Sequence, residues 1–328
     1  MIVVTGGAGF IGSNILAQLC AQGHAGLVVC DWLEHGDKWR NIAKCDLEDV
    51  IAPDALFGFL QQHADNIEAV IHMGAISSTT QTDVDLIVRT NIRLTNDLWD
   101  WCARTGTRLI YASSAATYGD GTAGFDDDAR PAALARLHPL NAYGWSKHVV
   151  DRRIAAHLAR GAPAPPQWAG LKFFNVYGPN EYHKGGQKSV IAHIFPAARD
   201  GAEVTLFKSH NPAYQDGGQV RDFVYVKDCA RVVAWLLATP AVSGLFNLGT
   251  GKARSFKDLA HAVFASLNQA PRISYVDTPA QIRDKYQYFT QANMEKLRRA
   301  GYDAPFTPLE DGVADYVRGY LAADTPYR

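Results

Sequence analysis

The sequence predicts an α/β protein: a doubly wound parallel sheet with a smaller α/β lobe beside it. Three observations carry this. Ile2-Val-Val-Thr5, a short β-branched run, meets the glycine spacing Gly6-x-x-Gly9-x-x-Gly12 and then a helical pattern from Ser13 to Gln22. Strand-like and helix-like runs alternate from there to Pro179, as parallel β-α-β units require. Beyond Pro179 the alternation fades, and residues 180–221 are rich in Gly, His, Lys and Asn, as a lid or second binding lobe would be. The expected division is a dinucleotide-binding (Rossmann) domain over 1–175 and 219–250, with a substrate domain over 176–218 and 251–328.

Composition narrows the class. The 328 residues are 47% hydrophobic and 20% charged, with a formal net charge of −1. A near-neutral chain has no broad basic field for nucleic acid or an anionic membrane, so an anionic ligand must be held by local groups. No apolar run approaches the ~20 residues of a membrane span. Met1 leads straight into the first strand without a basic segment or cleavage site, which predicts no signal peptide. Cys20, Cys30, Cys45, Cys102 and Cys229 are odd in number and lack CxxC spacing. Reduced thiols in a cytoplasmic protein, with no metal site, are the expectation.

Each element has its own signal. The glycine turn between strand and helix lets backbone approach a pyrophosphate, and the helix N-terminus offers free N–H groups and a positive dipole end. Gly26 to Asp31 reads as a second strand ending in an acid, 19 residues past Gly12, where an acid meets the adenosine ribose. That acid argues for NAD; Lys38 and Arg40 nearby can neutralise a 2′-phosphate and argue for NADP. Glu68 to Ala75 is a buried strand running into a small-residue turn. Residues 87–103 form a helix with Val88, Ile92, Thr95, Trp99 and Cys102 on one face; Asn91 is off that stripe and suits a cofactor-side position. Thr107 to Ser114 is a strand ending in two serines at the end where α/β sheets bind ligands. Leu171 to Pro179 is a strand with a hard stop. Near the C-terminus, Thr307, Pro308 and Glu310 have the spacing of a capping box, followed by an apolar stripe of Leu309, Val313, Tyr316, Val317 and Tyr320.

The stretch Asn141-Ala-Tyr143-Gly-Trp-Ser-Lys147 supplies chemistry. Four residues is about one helical turn, so both side chains leave the same face. A free Tyr titrates near pH ~10, and a lysine ammonium one turn away should favour its phenolate and lower that value. The pair is a candidate general acid/base at neutral pH.

The ordered set Gly6-x-x-Gly9-x-x-Gly12, Ser113-Ser114, Tyr143-x-x-x-Lys147, Asn175-Val-Tyr-Gly-Pro179 and Arg221-Asp222 resembles the extended short-chain dehydrogenase/reductases that act on nucleotide sugars. Within them, Ser113 to Gly119, Glu181-Tyr-His-Lys184-Gly, Arg221 to Val226 and Tyr286 to Gln291 are similar to the branch that epimerises ADP-heptose at C6″ for the lipopolysaccharide core. The resemblance implies the following roles. Tyr143 is one acid/base, Lys184 a second on the opposite side of the sugar, Ser114 a hydrogen-bond partner of the reacting oxygen, and Lys147 a ribose ligand. Gly6, Gly9, Phe10, Ile11, Gly12, Asp31, Trp32, Lys38, Met73, Gly74, Ala75, Ile76, Ser77, Asn91, Lys147, Val176 and Lys184 line the cofactor. Asn175, Gly186, His193, Phe207, Lys208, Ser209, His210, Arg221 and Tyr286 line the ADP-sugar. One tightly held NADP per subunit is implied, with NAD the alternative and Lys38 the 2′-phosphate ligand; the assembly implied is a homo-oligomer, a pentamer in the family.

Two acid/base groups suit such a reaction. A stereocentre bearing an unactivated C–H inverts by oxidation to a ketone, rotation and re-reduction on the other face, so proton transfer is needed in two orientations. Other reactions of the fold remain as alternatives: a 4-epimerase needs no base at Lys184, and a 4,6-dehydratase needs an acidic pair where Ala115-Ala116 stands. A non-catalytic NADP sensor would lack the Tyr–Lys pair. Departures from the family pattern are Trp32 for a smaller polar residue, Pro53 for a lysine, Lys172 for an arginine, and a longer loop over 210–218.

Overall fold

The computed structural model describes the backbone of residues 1–283 and 287–328. The first part of the chain runs β1 (Ile2–Thr5), α1 (Phe10–Ala21), β2 (Leu27–Cys30), β3 (Asp49–Ile51), α2 (Leu56–Gln62), β4 (Ala69–His72), α3 (Val84–Ile87), α4 (Leu94–Thr105), β5 (Arg108–Ser114), α5 (Pro131–Leu134) and α6 (Ala142–Ala159). It continues β6 (Trp168–Phe173), β7 (Asn175–Tyr177), α7 (Val190–Arg199), β8 (Val204–Phe207), β9 (Val220–Arg221), β10 (Phe223–Tyr225), α8 (Val226–Ala238) and β11 (Gly244–Leu248). The last elements are β12 (Arg254–Ser255), α9 (Phe256–Ser266), β13 (Ile273–Val276), α10 (Ala280–Arg283), α11 (Glu295–Arg299) and α12 (Leu309–Tyr316).

Seven strands form one wholly parallel sheet in the order β11-β6-β5-β4-β1-β2-β3. β1, β2 and β4 are buried at every residue, as strands covered on both faces must be. From β1 the chain adds β2 and β3 on one side, then returns to add β4, β5, β6 and β11 on the other. The order reverses between β1 and β4, and ligands of open α/β sheets bind beyond the carboxyl ends of the strands at such a switch point. Gly6, just past β1, has φ +63° and sits against Gly74, just past β4; a Cβ on Gly6 would lie 2.5 Å from the Gly74 nitrogen. The two loops at the switch point can approach this closely only because the side chain is absent.

The helix expected over 87–103 is longer and interrupted. α3 and α4 are joined by one π-helical turn, Val88–Arg93, which re-aims Asn91. The strand expected over 171–179 is two strands: β6 pairs with β11 in the main sheet, and past Phe174 the chain changes partner to β10. In the stretch where no alternation was expected, α7 buries Ile191, Ile194, Phe195 and Ala198, and β8 pairs in parallel with β13. The spacing Ile191, Ile194, Phe195, Ala198 is the helical signal that composition had masked.

The capping box expected at Thr307 does not form. Pro308 is the N-cap, without a side-chain bond. Thr307 instead gives its N–H and hydroxyl to the Asp228 carboxylate, both at 2.7 Å, while Glu310 pairs with Arg254. A buried acid reached both donors first. A capping box does form at Ser255 and Asp258, opening α9.

A second core packs beside the sheet. Tyr177, Ile191, Phe195, Val204, Phe223, Tyr225, Phe264, Val313 and Tyr316 belong to it, and so does Phe10 at the start of α1. Phe10 thereby fastens the glycine turn to the neighbouring lobe. Among the described residues no helix is long and apolar enough to cross a membrane, and no cluster of ligating side chains has metal-site form.

Candidate active site

A cleft of about 1210 Å³ opens at the switch point. Its walls include Gly6, Gly9, Phe10, Ile11, Gly12, Asp31, Lys38, Met73, Gly74, Ala75, Ser77, Ser114, Tyr143, Lys147, Val176, Lys184 and Gly186, brought together from both lobes.

The floor has the chemistry of an anion cradle. Gly9 caps α1 with extended backbone and no side chain, the first turn carries no acid, and the Gly9 N–H donates to the Gly6 carbonyl at 3.0 Å. A Cβ on Gly12 would stand 2.2 Å from that carbonyl, so the turn closes only on glycine. The helix thus presents uncapped N–H groups to the cleft, which fits the pyrophosphate of a dinucleotide. At the end of β2, the Asp31 carboxylate accepts the Ala8 N–H at 3.0 Å and the Lys38 ammonium at 2.8 Å. Lys38 also donates to the Trp32 carbonyl at 2.7 Å. Arg40 pairs instead with Asp37, and Lys44 with the Tyr327 carbonyl.

The small-residue turn after β4 is held by a buried relay. Thr95 donates to the Asn91 carbonyl at 2.7 Å, so its oxygen accepts from His72 Nε2 at 2.9 Å. The other nitrogen, Nδ1, then accepts the Thr5 hydroxyl at 2.6 Å. Burial and the Lys147 charge drive His72 down to about 3, so it is neutral. Asn91, fully buried, takes the Ile76 N–H, gives its amide to the Ile76 carbonyl and to Ser146, and Ser146 donates to the Tyr143 carbonyl. Asn91 therefore ties the turn to the first turn of α6 from behind the cleft.

On α6, Asn141 caps the helix through the Gly144 N–H at 2.8 Å. Tyr143 is half-buried and Lys147 only 2% exposed. The expectation that Lys147 lowers Tyr143 is overturned. Burial pushes the phenol up, and a hydrogen bond with Ser114 works against it more weakly. Lys147 is itself lowered to about 8 by burial, with Asp151 acting in the opposite direction. Ser114 is the phenol's local partner. Lys184, also in the cleft walls, lies 5.2 Å from the Phe10 ring centroid and is lowered by burial, partly offset by Glu181. Glu181 is fully buried and anchors the Lys184 segment: it accepts the Ser189 N–H and hydroxyl and the Tyr316 hydroxyl.

Other expected positions lie outside these walls. Trp32 is 49% exposed, and Asn175 and His193 are exposed in the neighbouring lobe, His193 reaching the Gly186 carbonyl at 3.3 Å. In the 207–218 loop, Lys208 pairs with Asp277, Ser209 bonds Asn211, and His210 Nε2 accepts the Thr278 N–H, so these side chains brace the loop. Phe207 stands beside them at the end of β8. Arg221 lies over Phe256 and donates to the Val220 carbonyl. Tyr286 is outside the described residues. Sequence reasoning missed His183, Thr79, Thr80 and Phe174 in the walls, and His72 behind them. A histidine at the end of the otherwise apolar β4 was the available sign.

Comparison with known proteins agrees with this geometry. Residues 2–249 match the NAD dependent epimerase/dehydratase family. The chain is 48% identical over 330 residues to an ADP-L-glycero-D-manno-heptose-6-epimerase of Nitratidesulfovibrio vulgaris, covering all of both chains. It is 45% identical over 335 residues, again with full coverage, to the protein of that name from Fusobacterium nucleatum. The crystal structure of the Helicobacter pylori protein of that name superposes with a TM-score of 0.80 at 27% identity, over 98% of this chain and 96% of that one. A glycine cradle at the switch point, a Tyr–Lys pair on α6 and full-length relatedness together place the chain in the NAD dependent epimerase/dehydratase family.

Proposed function

We propose that this protein interconverts ADP-D-glycero-β-D-manno-heptose and ADP-L-glycero-β-D-manno-heptose at C6″, supplying heptose for the lipopolysaccharide core. One observation carries the reading: Tyr143 and Lys184, from different lobes, stand in the walls of one cleft beside the nucleotide cradle. A 4-epimerase of this fold needs no base at Lys184, and a 4,6-dehydratase needs an acidic pair where Ala115-Ala116 stands. When bound, the nicotinamide ring supplies reversible two-electron oxidation of the C6″ alcohol to a ketone. Tyr143 takes the hydroxyl proton in one orientation of C6″ and returns it, with Ser114 holding the oxygen. Lys184 does the same in the other orientation; its lowered affinity for a proton suits a base that works near neutral pH. Lys147 holds the nicotinamide ribose.

The cofactor in this reading is NADP. Lys38 cancels the Asp31 charge that otherwise repels a 2′-phosphate, and it is the lysine in the adenosine end of the cleft. The ADP-sugar extends over Asn175, Gly186, His193, Phe207 to His210, Arg221 and Tyr286. The working form is a cytoplasmic homo-oligomer.

The test is incubation of purified protein with ADP-D-glycero-β-D-manno-heptose in D2O. Appearance of the L-glycero epimer without deuterium at C6″ is the expected result. Deuterium at C6″ excludes internal return of the hydrogen, and no turnover of either epimer excludes the substrate.

A further inference from the structure

Behind the Tyr–Lys pair lies a buried ion pair that the chemistry so far leaves unused. Asp151 is one helical turn beyond Lys147 and two beyond Tyr143, on the same face of α6. Its carboxylate is wholly enclosed, with the Lys172 ammonium of β6 at 2.9 Å. Asp151 also accepts Ser113 Oγ at 2.7 Å and the Tyr111 hydroxyl at 3.2 Å, both from β5. Lys172 in turn donates to Thr117 Oγ1 at 2.6 Å and lies 4.8 Å from the Tyr118 ring centroid. Thr117 donates to the Ser114 carbonyl at 2.8 Å. Every element carrying a proposed reacting group of this lobe converges here: α6 with Tyr143 and Lys147, and the end of β5 with Ser114.

A buried charge pair of this kind seldom adds stability over apolar residues of the same size. It does supply a fixed charge where water cannot screen it. Two ionisable groups interact with Lys147: His72 at the end of β4, and Asp151 one turn on along α6. His72 is neutral. Tyr111 is driven far up by burial and by Asp151, so it too is neutral. Asp151 is the anion that acts on Lys147.

We propose that Asp151, clamped by Lys172, Ser113 and Tyr111, is a positioning residue: it sets α6 against the end of β5 and supplies the buried negative charge that keeps Lys147 cationic. The inference rests on the reading of Tyr143, Lys147 and Ser114 as the reacting end of the cleft. Lys147 already sits at about 8 with Asp151 holding it up. Without that anion its charge is lost near neutral pH, and with it the contact to a ribose.

The test reads Lys147 directly in the cofactor-free protein, from the Cε chemical shift of [13C]lysine-labelled samples, with Lys147→Met assigning the resonance. Asp151→Asn should move the Lys147 titration to lower pH by about one pH unit or more. That change leaves Lys172 buried without its partner, so a second variant, Asp151→Asn with Lys172→Met, removes both charges together and restores folding. Lys172 acts on His148, and Asp151 is the charge acting on Lys147, so the displacement should persist in the double variant. The alkaline limb of the kcat/KM profile for epimerisation should move with it, and Asp151→Glu should hold Lys147 near its wild-type titration. An unchanged Lys147 titration in the double variant overturns the proposal and leaves the pair a structural element. A displaced titration in a protein that turns over neither heptose epimer overturns the substrate reading alone.

Discussion

Lys38 Nζ lies 2.8 Å from Asp31 Oδ1, an ion pair in which neither side chain is more than 17% exposed. The residue that argues for NAD and the residue that argues for NADP are thus in direct contact. Lys38 also closes on the Trp32 carbonyl, which fixes the loop after β2. Lys38→Ala should weaken NADP binding by at least tenfold and NAD binding much less, since only NADP loses a charge-assisted phosphate bond of about 1.5–3 kcal/mol. Calorimetric titration with both dinucleotides is the measurement. Equal losses would show that Lys38 only shapes the loop.

Tyr143→Phe removes the proton-carrying group while leaving the ring in place. Turnover should drop by about 10² to 10⁴-fold. Dinucleotide affinity and the thermal unfolding midpoint should stay near wild type, because the phenol's partner is Ser114 in the cleft wall. More than a tenth of wild-type rate in the variant is incompatible with the role.

Lys184 distinguishes an epimerase with two bases from a dehydrogenase with one. In Lys184→Met, one C6″ epimer should still reduce bound dinucleotide in a single turnover, because Tyr143 serves that orientation, and the other epimer should not. Steady-state epimerisation needs both orientations and should be lost severely. Unchanged reduction rates with both epimers would make Lys184 a binding residue.

His72 predicts a pH dependence of stability. Its folded value of about 3 lies below the ordinary 6.5, so the unfolded chain binds a proton that the folded chain refuses. The stabilisation is full above pH 6.5 and is lost as pH falls from there towards 3, by about 1.4 kcal/mol per pH unit for one proton. His148, lowered to about 4 by burial, adds a loss of the same sign. Urea unfolding between pH 7 and pH 5, above the range of most carboxylates, isolates the histidines. His72→Gln should reduce the slope in that window by about one proton; an unaltered slope would place His72 among solvated groups.

How much could be read in advance followed the range of the interactions. The alternation of apolar runs, the Gly6-x-x-Gly9-x-x-Gly12 turn and the four-residue spacing of Tyr143 and Lys147 are local: side-chain periodicity and steric freedom over a few residues set them, and they suffice for the parallel sheet and the Tyr–Lys face. Tertiary contact decided the rest. Thr307 abandoned its capping box because Asp228, 79 residues away in sequence, offered a buried carboxylate. The run after Leu171 split at Phe174 because a second strand, β10, was in reach. The sign of the Tyr143 shift also escaped the sequence, since a lysine one turn away predicts a lowered phenol while burial raises it. Desolvation depends on what surrounds a residue in space, and spacing along the chain carries no information about it.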